Sequence, residues 1–123
     1  MPKSKYLLQA TVGTVAGSVA VSIIRLADNQ QISFIPAPLV ISDITLISPA
    51  NPQSQGVLRI FRDGVNVYNT PPYSTLLPSL ANKRSVKVII SGDAKNQITF
   101  DVLVITPLGS GSETLRFIVE VEE

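Results

Sequence analysis

The chain has 123 residues, a formal net charge of +1 and 15% charged against 45% hydrophobic residues. That length suffices for one domain with a core of its own, and so balanced a charge singles out neither nucleic acid nor an acidic surface as a partner. Cysteine and histidine are both missing, which removes disulfides, zinc–thiolate sites, the commonest general base and the usual nucleophilic triads.

After two lysines, Leu7 to Ile24 mimics a secretory leader. Thr11, Gly13, Thr14, Gly17, Ser18 and Ser22 interrupt it, and no run of about 18 apolar residues exists to span a bilayer. The segment therefore predicts two strands of the fold. Leu39 to Ser48 is apolar on both faces, with Leu39, Ile41 and Ile47 on one and Val40, Ile44 and Leu46 on the other, as a central or covered strand requires. Asp63-Gly64, between Leu58 and Ile60 upstream and Val65 and Val67 downstream, predicts a tight hairpin. Asn69 to Lys83, with Pro71, Pro72 and Pro78, is the longest irregular stretch and predicts a connection between two sheets. Three alternating runs close the chain: Val86, Val88 and Ile90; Ile98, Phe100, Val102 and Val104; Leu115, Phe117, Val119 and Val121. Their short connections predict an antiparallel meander. Because β-branched residues dominate and turn residues recur at sandwich spacing, the whole predicts an all-β, antiparallel, jelly-roll-like two-sheet sandwich. Seven or eight strands and little or no helix are expected, in one domain over residues 1–123.

The candidates for chemistry are few. Asp43 and Asp101 lie inside predicted strands, where Asp is disfavoured, and read as outward positions on half-solvated sheets. Asp93, Asn96 and Asp101 supply oxygen atoms but do not match the spacing of an EF-hand calcium loop. Gly109-Ser110-Gly111-Ser112 lacks the lysine of a phosphate loop. Lys83, Arg84 and Lys87 form the only basic grouping beyond Lys3 and Lys5, and Glu120, Glu122 and Glu123 the acidic end; both read as solvated surface. No catalytic, metal or cofactor site is expected, and the chain does not read as an enzyme. Tyr68 and Tyr73 flank Pro71-Pro72 as the one expected exposed aromatic pair, a candidate ligand loop.

Apolar residues are in surplus. Eight six-residue strands would turn roughly 24 side chains inward, far fewer than the large apolar residues present. Ile89, Leu103, Ile105 and Ile118 fall at outward positions of the predicted meander and so predict an apolar patch, the mark of a protein interface and of a homo-oligomer or larger assembly. With its Val- and Ile-rich strands around Leu58 to Val67 and Val86 to Val121, the chain resembles the small β-sandwich structural proteins of virions, above all capsid decoration or cement proteins of tailed bacteriophages. The resemblance implies a structural role in the virion, exercised through protein–protein interfaces with a capsid shell. No cofactor, nucleic acid, membrane or small-molecule substrate would be involved. An alternative of another class is a carbohydrate- or receptor-binding module, such as a fibre tip or adhesin domain, using Tyr68 and Tyr73.

Overall fold

The computed structural model describes residues 3–83 and 85–122, so Arg84 of the basic grouping and Glu123 of the acidic end lie outside the described residues. The strands are β1 (Lys3–Val12), β2 (Gly17–Ala20), β3 (Ser22–Arg25), β4 (Gln30–Ile32), β5 (Ile35–Pro36), β6 (Leu39–Ser48), β7 (Gln55–Arg62), β8 (Val65–Asn69), β9 (Val88–Ile90), β10 (Gln97–Thr106) and β11 (Glu113–Glu122). They form two antiparallel sheets, ordered β4-β3-β1-β11-β6-β9 and β2-β10-β7-β8, with β5 also paired to β10. The expected all-β sandwich is therefore present. No α-helix occurs among the described residues, and none of their helices is long and apolar enough to cross a membrane.

Period-2 alternation decides the inward rows. Leu8, Ala10 and Val12 of β1, Leu58 and Ile60 of β7, Phe100, Val102 and Val104 of β10, and Leu115, Phe117 and Val119 of β11 are all buried in one hydrophobic cluster. The strand count exceeds expectation because two runs change sheet partway. β2 belongs to the five-stranded sheet, and one residue later, past Val21, β3 belongs to the six-stranded one. β4, β5 and β6 alternate in the same way between the six-stranded, the five-stranded and again the six-stranded sheet.

The predicted meander does not form. β9 is an edge of the six-stranded sheet, β10 sits inside the five-stranded one, and β11 returns to the centre of the first. The apolar rows of β10 and β11 face each other across the core instead of lying side by side, and their short loops arch between sheets.

β6 also departs from its expected faces. Its pairing with β11 steps from Ile41 opposite Val121 to Asp43 opposite Glu120, which leaves Ser42 as an extra residue. This β-bulge shifts the alternation by one, so Leu39 and Ile41 before it and Ile44 and Leu46 after it are all buried. Val40 and Ile47 are left on the outside.

One turn and one close strand approach explain their glycines. In the β7–β8 hairpin Asp63 and Gly64 have φ of 51° and 80°, the positive pair that a type I′ turn demands. Gly56 of β7 lies opposite Val104, and an added Cβ there would overlap the Leu103 carbonyl oxygen and sit 3.1 Å from Cε2 of Tyr73. The residues after β8 form a short 3-10 turn, Tyr73–Leu76, whose Tyr73 and Leu76 enter the core on the way from the five-stranded to the six-stranded sheet. The stretch from Asn69 to Lys83 is thus an inter-sheet connection.

Gly56→Ala is expected to lower stability by at least about 3 kcal/mol, because backbone must move. Gly64→Ala, strained only in its φ and facing open space, should cost about 1–2 kcal/mol. Urea midpoints of the two variants should rank them in that order.

Candidate functional site

Register arranges the outer face of the six-stranded sheet in rows. One row crosses β3, β1, β11 and β6 as Ile24, Leu7, Ile118 and Thr45. Ile47, 46% exposed, lines the same shallow hollow as Ile118 and extends this apolar row. The next row is Lys5, Glu120 and Asp43, and beyond it lie Lys3, Glu122, Val40 and Ile89. Lys3 pairs with Glu120 at 2.9 Å, and Lys83 pairs with Asp43 at 3.0 Å. The hydrogen bond from Lys3, followed by one from Ser42 at 3.0 Å, holds the Glu120 carboxyl below its ordinary value.

The four isoleucine and leucine positions expected to make one patch are divided. Ile118 belongs to the apolar row, and Ile89, 74% exposed, is on the same face but across the charged row at the sheet edge. Leu103 and Ile105 project from the outer face of the other sheet, because β10 lies in that sheet and not beside β11. The row of Ile24, Leu7, Ile118 and Ile47 was not anticipated. Its signal in the sequence is Leu7 itself, an apolar residue in the outward series Lys5, Leu7, Gln9 of β1.

The Tyr68 and Tyr73 loop is corrected as well. Tyr68 is half-buried against the core, and Tyr73 is fully buried, edge-on to Phe117 with ring centroids 6.2 Å apart. Tyr73 cannot meet a ligand. Its hydroxyl is 2.6 Å from the Ser54 Oγ, and Ser54 in turn donates to the Glu113 carboxylate. With the Ser54 proton directed to Glu113, Tyr73 donates to Ser54, giving a chain of hydroxyls that ends on a carboxylate. Backbone amides of Gln53 and Ser54 also donate to Glu113, at 3.0 and 2.9 Å. Burial works to raise the Glu113 carboxyl, but the Ser54 hydroxyl and the two amides outweigh it and hold the group below its ordinary value of 4.5. Burial, with Glu113 adding to it, raises the Tyr73 phenol above its ordinary range. The cluster fastens the β6–β7 loop to the start of β11 and is structural.

Asp43 and Asp101 are outward, as expected, and each is paired. Lys83 donates to both oxygens of Asp43 at 3.0 Å, which ties the long connection to the β6 bulge. Arg59 grips Asp101 through two parallel bonds of 2.7 and 2.6 Å across β7 and β10. Asp93 and Asn96 lie in the loop before β10, and Asn96 is consumed by Asp63 at 2.6 Å and by the Asp93 amide at 2.9 Å. Among the described residues no group of three metal-binding side chains comes together.

A groove of about 560 Å³ opens beside the Arg59–Asp101 pair, lined by Ser18, Ala20, Phe61, Thr99 and Asp101 on its outer side and by Ile23 and Phe100 at depth. No protein-family model matches the chain, and no curated protein sequence does.

Glu113→Gln should reshape the acid limb of stability. Because the folded carboxyl is held below 4.5, its contribution is complete above that pH and disappears as pH falls through the lower folded value. The variant should be less stable at neutral pH by about 1 kcal/mol, with the difference vanishing in strong acid, as read by thermal melts across pH. Tyr73→Ala should cost about 3–5 kcal/mol in urea unfolding, and Tyr68→Ala clearly less.

Proposed function

We propose that this chain is a non-catalytic assembly protein that binds other protein subunits through the outer face of its six-stranded sheet. One observation carries the reading: an apolar row of Ile24, Leu7 and Ile118 crosses three strands, and Ile47 flanks it beside Thr45 on the fourth, where a sheet facing only water alternates to polar residues. The adjoining row of Lys5, Glu120 and Asp43 carries both signs of charge. A face with an apolar centre and a mixed-charge border can meet a second copy of itself or a subunit of similar pattern without like charges being forced together. Its small net charge of +1 opposes such contacts little.

The resemblance to capsid decoration proteins makes the protein shell of a tailed phage the assembly we propose for it, and the virion its location. In that setting the sandwich would cap neighbouring capsid subunits and act through contact area alone, with no reaction to perform.

Light scattering at micromolar concentration should return a mass above that of one chain, and Ile47→Asp should return it to the monomer. A monomeric elution of the unsubstituted protein, together with failure to co-sediment with phage shells, removes the proposal.

A further inference from the structure

The edge of β10 is covered in two pieces. β2 pairs with Asp101 to Val104, and β5 pairs with Gln97 and Ile98. Thr99 and Phe100, between them, pair with β7 on one side and face no strand on the other among the described residues. The cause is the change of sheet at Val21: β2 stops at Ala20 as the chain leaves for the six-stranded sheet, and β5 arrives too late to close the interval. The groove of about 560 Å³ opens at this window, a size inside the range of roughly 300–1,000 Å³ found for small-molecule sites.

From these walls we infer that the groove binds a neutral sugar ring, a pyranose of the hexose type. Phe61 gives an aromatic wall, ordered by the Arg59 guanidinium 5.2 Å from its centroid. An aromatic surface suits the C–H face of a sugar, which is apolar although the ring edge is hydroxylated. Around it stand groups that bond hydroxyls. Asp101 accepts one bond at each oxygen from Arg59, which leaves further lone pairs open to a ligand O–H. The Ser18, Ser33 and Thr99 hydroxyls line the same groove and make no hydrogen bond to the described residues. Among the described residues that line the groove Asp101 alone is charged, and the Arg59 beside it balances that charge, so the pair offers no net attraction to an ionic ligand. A peptide strand is the wrong occupant, because two open residues are fewer than the three or so that a strand needs. The site is independent of the assembly face, which lies on the other sheet.

The test is amide chemical-shift mapping of the full chain with methyl β-D-galactopyranoside, methyl α-D-glucopyranoside and methyl α-D-mannopyranoside, alongside glucuronate and the acetylated tetra-alanine amide. At least one neutral glycoside should shift amides at Ser18, Ala20, Phe61, Thr99 and Asp101, and Phe61→Ala should weaken it by about tenfold or more. Thr99→Val, an isosteric change on a β-strand, should weaken it while leaving the melting curve in place, which guards against a folding artefact of the larger truncation. The inference is overturned if none of the three glycosides shifts these amides at millimolar concentration. It is equally overturned if glucuronate or the peptide binds there more tightly than any neutral glycoside, or if both variants bind the glycoside as the parent does.

Discussion

The ten-residue ladder between β1 and β11 is the constraint on which the rest of the sandwich depends. It runs from Lys3 opposite Glu122 to Val12 opposite Glu113 and occupies the centre of the six-stranded sheet. β3 and β4 attach to its β1 side, and β6 and β9 attach to its β11 side. The two strands also send Leu8, Val12, Leu115, Phe117 and Val119, none with measurable exposure, into the core. Since the partners are the two extremes of the chain, no part of this sheet's centre can form from local contacts. Closure of nearly the whole sequence must precede it, an entropic cost that grows slowly with length but delays the reward of pairing. Local order has to come from elsewhere, and the hairpin of β7 and β8, whose strands pair with each other across the two residues Asp63 and Gly64, can supply it.

The crossings between sheets set where function can reside. By taking β2 and β5 to one sheet and β3, β4 and β6 to the other, the chain ties the two layers together at one side. It leaves the opening at Thr99 and Phe100 as a by-product. Strands on either side of a crossing, such as β2 and β3, thereby lose their adjacency, and each outer face acquires a character of its own. The six-stranded face has an apolar row beside charged ladders, suited to a broad protein contact. The five-stranded face is centred on the Arg59–Asp101 pair and ends in a groove, suited to something small.

Much of the architecture was legible in the sequence, and the failures have identifiable physical causes. Inward rows such as Ile98, Phe100, Val102 and Val104 could be read because a pleated strand repeats every second residue. That period identifies a face but not the neighbour across it, so β9, β10 and β11 looked like a meander when they alternate between layers. In β6 the period itself broke at Ser42, and a bulge of one residue made a strand buried on one face look buried on both. Tyr73 resembled a loop aromatic beside two prolines, but only the fold shows that this loop dips into the core to meet Ser54 and Phe117. The groove was beyond reach because its walls come from residues as far apart as Ser18 and Asp101, and nothing in either neighbourhood marks the other.

The β1–β11 ladder also has a mechanical meaning. Its outer ends, Lys3 and Glu122, sit opposite each other at one end of the sheet, so tension applied through both ends of the chain would part the strands like a zipper. Each hydrogen-bonded pair would bear the load alone and fail before the next is strained. A force applied across the broad faces would instead be shared by every strand of a sheet at once. A protein built this way resists pressure and shear on its flanks far better than a pull on its ends, and is best held by its surface.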